Sequence, residues 1–152
     1  FLISIMLAKI KLLRQEKLPF PGGKRWDGIP TYEKSSAMSE PRYRYIFNQR
    51  LEDSHYHTNM MSNGWGYASF RTTPKILRDA GKIDIPVLLL TSGNDALVDS
   101  KGHYKFAYNT PNTEFVIYEG AKHELYNGTP EILEDYYKRV FEFLDRISGQ
   151  NS

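Results

Sequence analysis

The arrangement of apolar and polar positions changes character near residue 80. Downstream it is regular. Residues 86–91 (PVLLLT) form an unbroken apolar run of strand length, the pattern of a parallel strand covered on both faces. Residues 99–108 predict a short helix, and residues 114–119 (EFVIYE) a second strand. Residues 130–147 carry the clearest helical pattern. Thr129 caps it, Pro130 opens it, and Glu131, Glu134 and Asp135 favour its positive end. Leu133, Tyr136, Val140, Phe143 or Leu144, and Ile147 form its apolar stripe. Strand, helix, strand, helix in that order predicts a parallel sheet with right-handed crossovers.

Upstream the pattern is looser. Residues 2–16 read as an amphipathic helix, and packing on a core is favoured over a membrane-surface anchor. Its apolar part stops at Lys9, far short of the ~20 residues a membrane span needs. Its basic residues follow the apolar run, whereas a secretory signal carries them in front. Residues 18–41 are turn-rich but hold Phe20, Trp26 and Tyr32, which predicts an ordered loop. A short helix is expected over 41–51, with Pro41 in its first turn. Residues 59–70 mix Met60, Met61, Trp65, Tyr67 and Phe70 with two glycines. They suit either an apolar ligand pocket or the core of a small subdomain. A helix over 73–80 is expected to be capped by Thr73, to have Pro74 at its first position, and to end at Gly81. There is no internal repeat.

Composition narrows the chemistry. At 152 residues the chain is one domain or a large piece of one. Its 40% hydrophobic and 25% charged content is an ordinary globular balance. A net charge of +2 gives nucleic acid no support as a partner. The lack of cysteine removes disulfides, thiol nucleophiles and thiolate metal sites together. His55 and His57, with Asp53 nearby, could offer metal ligands, but no third strong ligand accompanies them, so no metal is expected.

Two residues stand out by position. Asp95 lies four residues beyond the first predicted strand, and His123 four beyond the second. Neighbouring parallel strands end on one sheet edge, where open α/β sheets bind ligands. A carboxylate there can orient an imidazole and stabilise its protonated form. Asp99 is the rival acid, but its position favours capping the next helix. His103 is expected to be a solvated helix residue and Glu124 to have a structural partner; Arg42 could contact a phosphate head group, but an ion pair within the upstream half is favoured.

The runs Ile85-Pro-Val-Leu-Leu-Leu-Thr-Ser-Gly-Asn-Asp95-Ala-Leu-Val-Asp99 and Tyr118-Glu-Gly-Ala-Lys-His123-Glu124 resemble the C-terminal part of an α/β-hydrolase of the lysophospholipase and monoacylglycerol-lipase-like (serine aminopeptidase-like) group. Ser35-Ser36, Arg42-Tyr43 and Asn63-Gly-Trp65 are similar to the cap of those enzymes, so the likeness runs from about residue 18 to the end. It implies the α/β class with the α/β-hydrolase fold: a helical cap segment over residues 1–80, then the last two parallel strands and helices over 81–152. It also implies a serine hydrolase acting on carboxylic esters of lipid-like substrates, lysophospholipid or monoacylglycerol, without cofactor. Asp95 matches the acid and His123 the base of the triad, while Met60, Met61, Trp65 and Tyr67 would line the substrate site.

The nucleophile of this group sits in Gly-x-Ser-x-Gly, and no serine here has glycine on both sides in that spacing. The opening residue is Phe1, not Met, and the resemblance places the nucleophile elbow, the oxyanion loop and the remaining strands before it. The partners expected are therefore a small lipid-like ester and a missing N-terminal half of the same fold. The expected location is cytoplasmic, with peripheral membrane contact left open. A proline iminopeptidase-type peptidase and a non-catalytic α/β binding module are the alternatives.

Overall fold

The computed structural model describes Met6 and residues 17–19, 26–57 and 61–149. The expected helix over 2–16 and residue Met60 therefore lie, Met6 apart, outside the described residues. Helix α1 spans Glu40–Glu52, α2 Asn63–Asp79, α3 Lys101–Asn109 and α4 Pro130–Gly149; strands β1 and β2 are Val87–Ser92 and Thr113–Tyr118. By internal contacts the chain divides into two units: residues 1–29 with 48–78, and residues 30–47 with 79–152.

In the second unit β1 and β2 pair in parallel, from Val87↔Thr113 to Ser92↔Tyr118, with α3 as the crossover. The ladder is latched at its start, where Val87 N–H donates to Asn112 O at 2.9 Å and the Asn112 side chain to Asp84 O at 2.9 Å. α4 turns Leu133 fully inward and half-buries Tyr136, Val140, Phe143 and Ile147. Phe143 thus takes the stripe position, and Leu144 is exposed. Tyr118, Ala121 and Leu125 form a small core, packed by Met38, Leu90, Val116, Ile132 and Tyr136. Burial first, then the nearby Asp135 carboxylate, pushes the Tyr118 hydroxyl up to about 12, so it stays neutral there. Leu88–Leu90 are only half-buried. With Tyr136, Val140 and Phe143 they line an open apolar groove of about 500 Å³.

In the first unit α2 starts at Asn63, not Thr73. The stronger cap is Ser62, whose hydroxyl accepts the Trp65 N–H at 3.1 Å. Pro74 is therefore inside the helix, with no N–H to give the Phe70 carbonyl. The Thr73 hydroxyl does not cap; it donates to Ser69 O at 2.9 Å. His57, Trp26 and Arg50 are stacked together: the rings of His57 and Trp26 lie 4.2 Å apart, and the Arg50 guanidinium sits 5.0 Å from the Trp26 ring.

Candidate active site

The site is built where β1 and β2 end. Ser92 is the last residue of β1 and Tyr118 the last of β2, so Asp95 follows its strand by three residues and His123 by five. The offsets differ, yet the side chains meet, because the two loops are sewn together. Gly93 N–H donates to Tyr118 O at 2.9 Å, Asn94 N–H to Ala121 O at 3.0 Å, and the buried Ser92 hydroxyl to the same Ala121 carbonyl. Gly120, at φ +74°, folds the second loop back so that Ala121 N–H also reaches Tyr118 O, at 3.1 Å.

Gly93 is needed for closeness. A Cβ at that position would lie 2.9 Å from Glu119 Cα and 3.1 Å from Tyr118 O, both backbone atoms that cannot swing away. Gly93→Ala is expected to cost about 1–3 kcal/mol and to weaken the pairing of the two loops. Urea unfolding measures the first effect. Stability equal to the unchanged chain would show that the loops tolerate separation.

Asp95 Oδ2 lies 2.7 Å from His123 Nδ1. The acid side chain is 4% exposed and the imidazole 39%, so the carboxylate is sheltered while the ring faces outward. Asp95 Oδ1 accepts the backbone N–H groups of Leu97 at 2.8 Å and Val98 at 3.1 Å. Burial pulls the Asp95 carboxyl upward, but the His123 hydrogen bond and these two N–H donors outweigh it, and its pKa falls below the ordinary carboxylate value. A folded pKa below the unfolded one stabilises fully above the unfolded value and is lost as pH falls through the folded value. The acid limb of the stability curve should therefore steepen only below about pH 4. Asp95→Asn should flatten that limb in acid titrations followed by circular dichroism. An unchanged limb would show that the carboxylate does not carry this contribution.

Asp99 turns to its own helix, accepting the Lys101 N–H at 3.0 Å. Glu124 Oε2 accepts from the Asn127 side chain at 2.6 Å. Two expectations are corrected. His103 is half-buried, its Nδ1 against the Thr91 hydroxyl, because α3 lies on the strand it follows. Arg42 makes a hydrogen bond to Gly128 O at 3.2 Å, since its helix starts beside the His loop.

A contribution invisible to local reading comes from residues 35–39. Met38 N–H donates to Asn127 O at 2.8 Å and Ser39 N–H to the same oxygen at 3.2 Å; Glu124 N–H reaches Ser36 O at 3.4 Å. Lys122 Nζ donates to Ser35 O at 3.3 Å and Ala37 O at 3.5 Å. This strap holds the His123 loop from outside the sheet. The only sequence sign of it is the Ser35-Ser36 pair, which carries no mechanism by itself.

Met61 and Trp65 belong to the first unit and are 52% and 55% exposed, while Tyr67 accepts a hydrogen bond from Arg71 Nη1 at 3.1 Å. His55 Nδ1 pairs with Asp53 at 2.7 Å and His57 Nε2 with Arg50 O at 2.5 Å. Among the described residues no three His, Asp or Glu side chains group as metal ligands, and no helix is long and apolar enough to cross a membrane.

A family model, serine aminopeptidase S33, matches residues 20–130. A monoglyceride lipase homolog of monkeypox virus is 36% identical over 78 residues, which is 49% of this chain and 28% of that protein. The fold is similar to that of a Paleococcus ferrophilus monoacylglycerol lipase, with TM-score 0.68, 20% identity, and coverage of 94% of this chain and 50% of that one. It is also similar to a soluble variant of the Saccharomyces cerevisiae monoglyceride lipase solved with a substrate analog, with TM-score 0.66, 20% identity, and coverage of 95% and 48%. The chain spans about half the length of these two structures. With its family match over most of its length and this shared architecture, the chain belongs to the serine aminopeptidase S33 family of α/β-hydrolases.

Proposed function

We propose that this chain supplies the acid and the base of a serine hydrolase that cleaves carboxylic esters of lipid-like alcohols. The observation that carries the reading is the 2.7 Å contact between the sheltered Asp95 carboxylate and the outward-facing His123 ring, at the ends of paired parallel strands. With Nδ1 held by Asp95, His123 Nε2 is left to take the proton of a serine hydroxyl and return it to the leaving alcohol. Asp95 fixes the tautomer and offsets the charge of the imidazolium. No Gly-x-Ser-x-Gly lies within these 152 residues, so this reading requires a serine and oxyanion donors supplied from elsewhere.

The lipid preference is supported by the monoglyceride lipases among its relatives and by the Met and aromatic side chains at Met60, Met61, Trp65 and Tyr67. Thioether and aromatic side chains are the types that adapt to an acyl chain. The complete hydrolase is expected to turn over medium- or long-chain monoacyl esters faster than a prolyl amide. Competing the two substrates in one assay tests this, and faster amide cleavage would assign the enzyme to the iminopeptidase type.

A further inference from the structure

We propose that Lys122 is a positioning residue for His123: by tying its ammonium and its backbone N–H to the strap at residues 35–39, it sets the direction in which the imidazole presents Nε2. The inference rests on the reading of His123 as the base, and goes beyond it to what keeps that base aimed.

The two members of the Asp95–His123 pair are held in different ways. The carboxylate is fixed within its own loop, where Oδ1 accepts the Leu97 and Val98 N–H groups. The imidazole faces outward, so its aim depends on the backbone that carries it. The bonds from the Asp95 loop reach Tyr118 O and Ala121 O and end there, before His123. On either side of His123 the tertiary bonds run to the strap instead. Lys122 N–H donates to Met38 Sδ at 3.2 Å, and Lys122 Nζ to Ser35 O at 3.3 Å and Ala37 O at 3.5 Å. Glu124 N–H donates to Ser36 O at 3.4 Å. The carbonyls of Ser35, Ser36 and Ala37 thus all serve the His loop, and Lys122 takes two of them. Those two bonds are charge-assisted, because the donor is an ammonium.

The strap is a firm anchor. Ala37 is fully buried, and Met38 packs on Tyr118, Ala121 and Leu125. Ser35 Oγ donates to Tyr32 O at 2.7 Å, and the Met38 and Ser39 N–H groups share Asn127 O. Strap and His loop lie in the same unit of the chain. A restraint transmits aim when its far end stays still, and a base displaced by a fraction of an ångström loses rate without losing substrate.

In the complete hydrolase, Lys122→Met keeps the stem and the backbone N–H and removes the ammonium. It should lower kcat for a monoacyl ester about tenfold, counted per serine labelled to completion by a fluorophosphonate, with KM and the thermal midpoint close to normal. Lys122→Arg restores charged donors and should recover most of the loss. Met38→Leu keeps the packing, removes the sulfur acceptor, and should lower kcat in the same way by a smaller factor. In the same proteins, the proton resonance of His123 Nδ1–H, held far downfield by Asp95, should move upfield in Lys122→Met and return in Lys122→Arg. A purely structural role would lower the labelled fraction and the midpoint together and leave kcat per labelled serine unchanged. That result, or an arginine variant no better than the methionine one, would overturn the proposal. A Lys122-dependent resonance together with full turnover in a His123→Ala enzyme would keep the positioning of the ring by Lys122 and sink the catalytic reading alone.

Discussion

Replacing His123 by Ala in the complete hydrolase is expected to abolish nearly all ester turnover, and Asp95→Asn to cost roughly 10⁴-fold in kcat. The two losses have different origins. Without His123 no group is left to take the serine proton or to return it to the leaving alcohol. Asparagine at 95 keeps a carbonyl oxygen for the Leu97 and Val98 N–H groups, now 2.8 and 3.1 Å from Oδ1, so the loop keeps its shape. It presents an N–H, not an oxygen, to His123 Nδ1, however, and so selects the wrong tautomer. Single-turnover kinetics with a monoacyl ester, alongside thermal unfolding, separate loss of chemistry from loss of fold. Near-normal turnover in either variant, with the fold intact, would remove the pair from the mechanism. Asp99→Asn is the matched control: its carboxylate serves the Lys101 N–H, and its loss should leave kcat close to normal.

The 152 residues by themselves are expected to be catalytically silent and to self-associate. The silence follows from chemistry. A base without an elbow serine has nothing to activate, and two nearby hydroxyls are already committed. Ser92 is buried with its hydroxyl on Ala121 O, and Ser35 Oγ donates to Tyr32 O at 2.7 Å. The self-association follows from surface. The groove along Leu88–Leu90, Val140 and Phe143 is apolar and open, and the sheet of the described residues has two strands and therefore two unpaired edges. A fluorophosphonate reagent should leave the chain unlabelled, and light scattering should give a mass above that of a monomer. A stable monomer labelled stoichiometrically on serine would show instead that these residues form a self-sufficient hydrolase.

The elements of the second half were legible because each carries its signal locally. PVLLLT has strand length and no polar interruption, and the 130–147 stripe repeats at helical spacing; both appear within one or two residues of the predicted limits. Helix α2 was legible only in its last turns. Gly64, Gly66 and Pro74 each count against a helix taken singly, and the cap at Ser62 together with packing overrides them. The burial of His103 escaped for a related reason: α3 is short, and which of its faces meets β1 depends on the strand it packs on.

Residue types and order alone therefore determined the α/β class, the parallel pairing of β1 with β2, and the placing of Asp95 and His123 after adjacent strand ends. These follow from short-range periodicity and from the handedness of a strand–helix–strand unit, both written within a few dozen residues. Only the tertiary structure decided how far beyond each strand the two side chains could lie and still touch. It also decided which carboxylate the imidazole takes and what holds the His loop. Those depend on the approach of Gly93 to the Glu119 backbone and on the strap at residues 35–39, more than 80 positions from the loop it grips. Contacts at that separation are set by the packing of whole elements, and no local pattern in the chain encodes them.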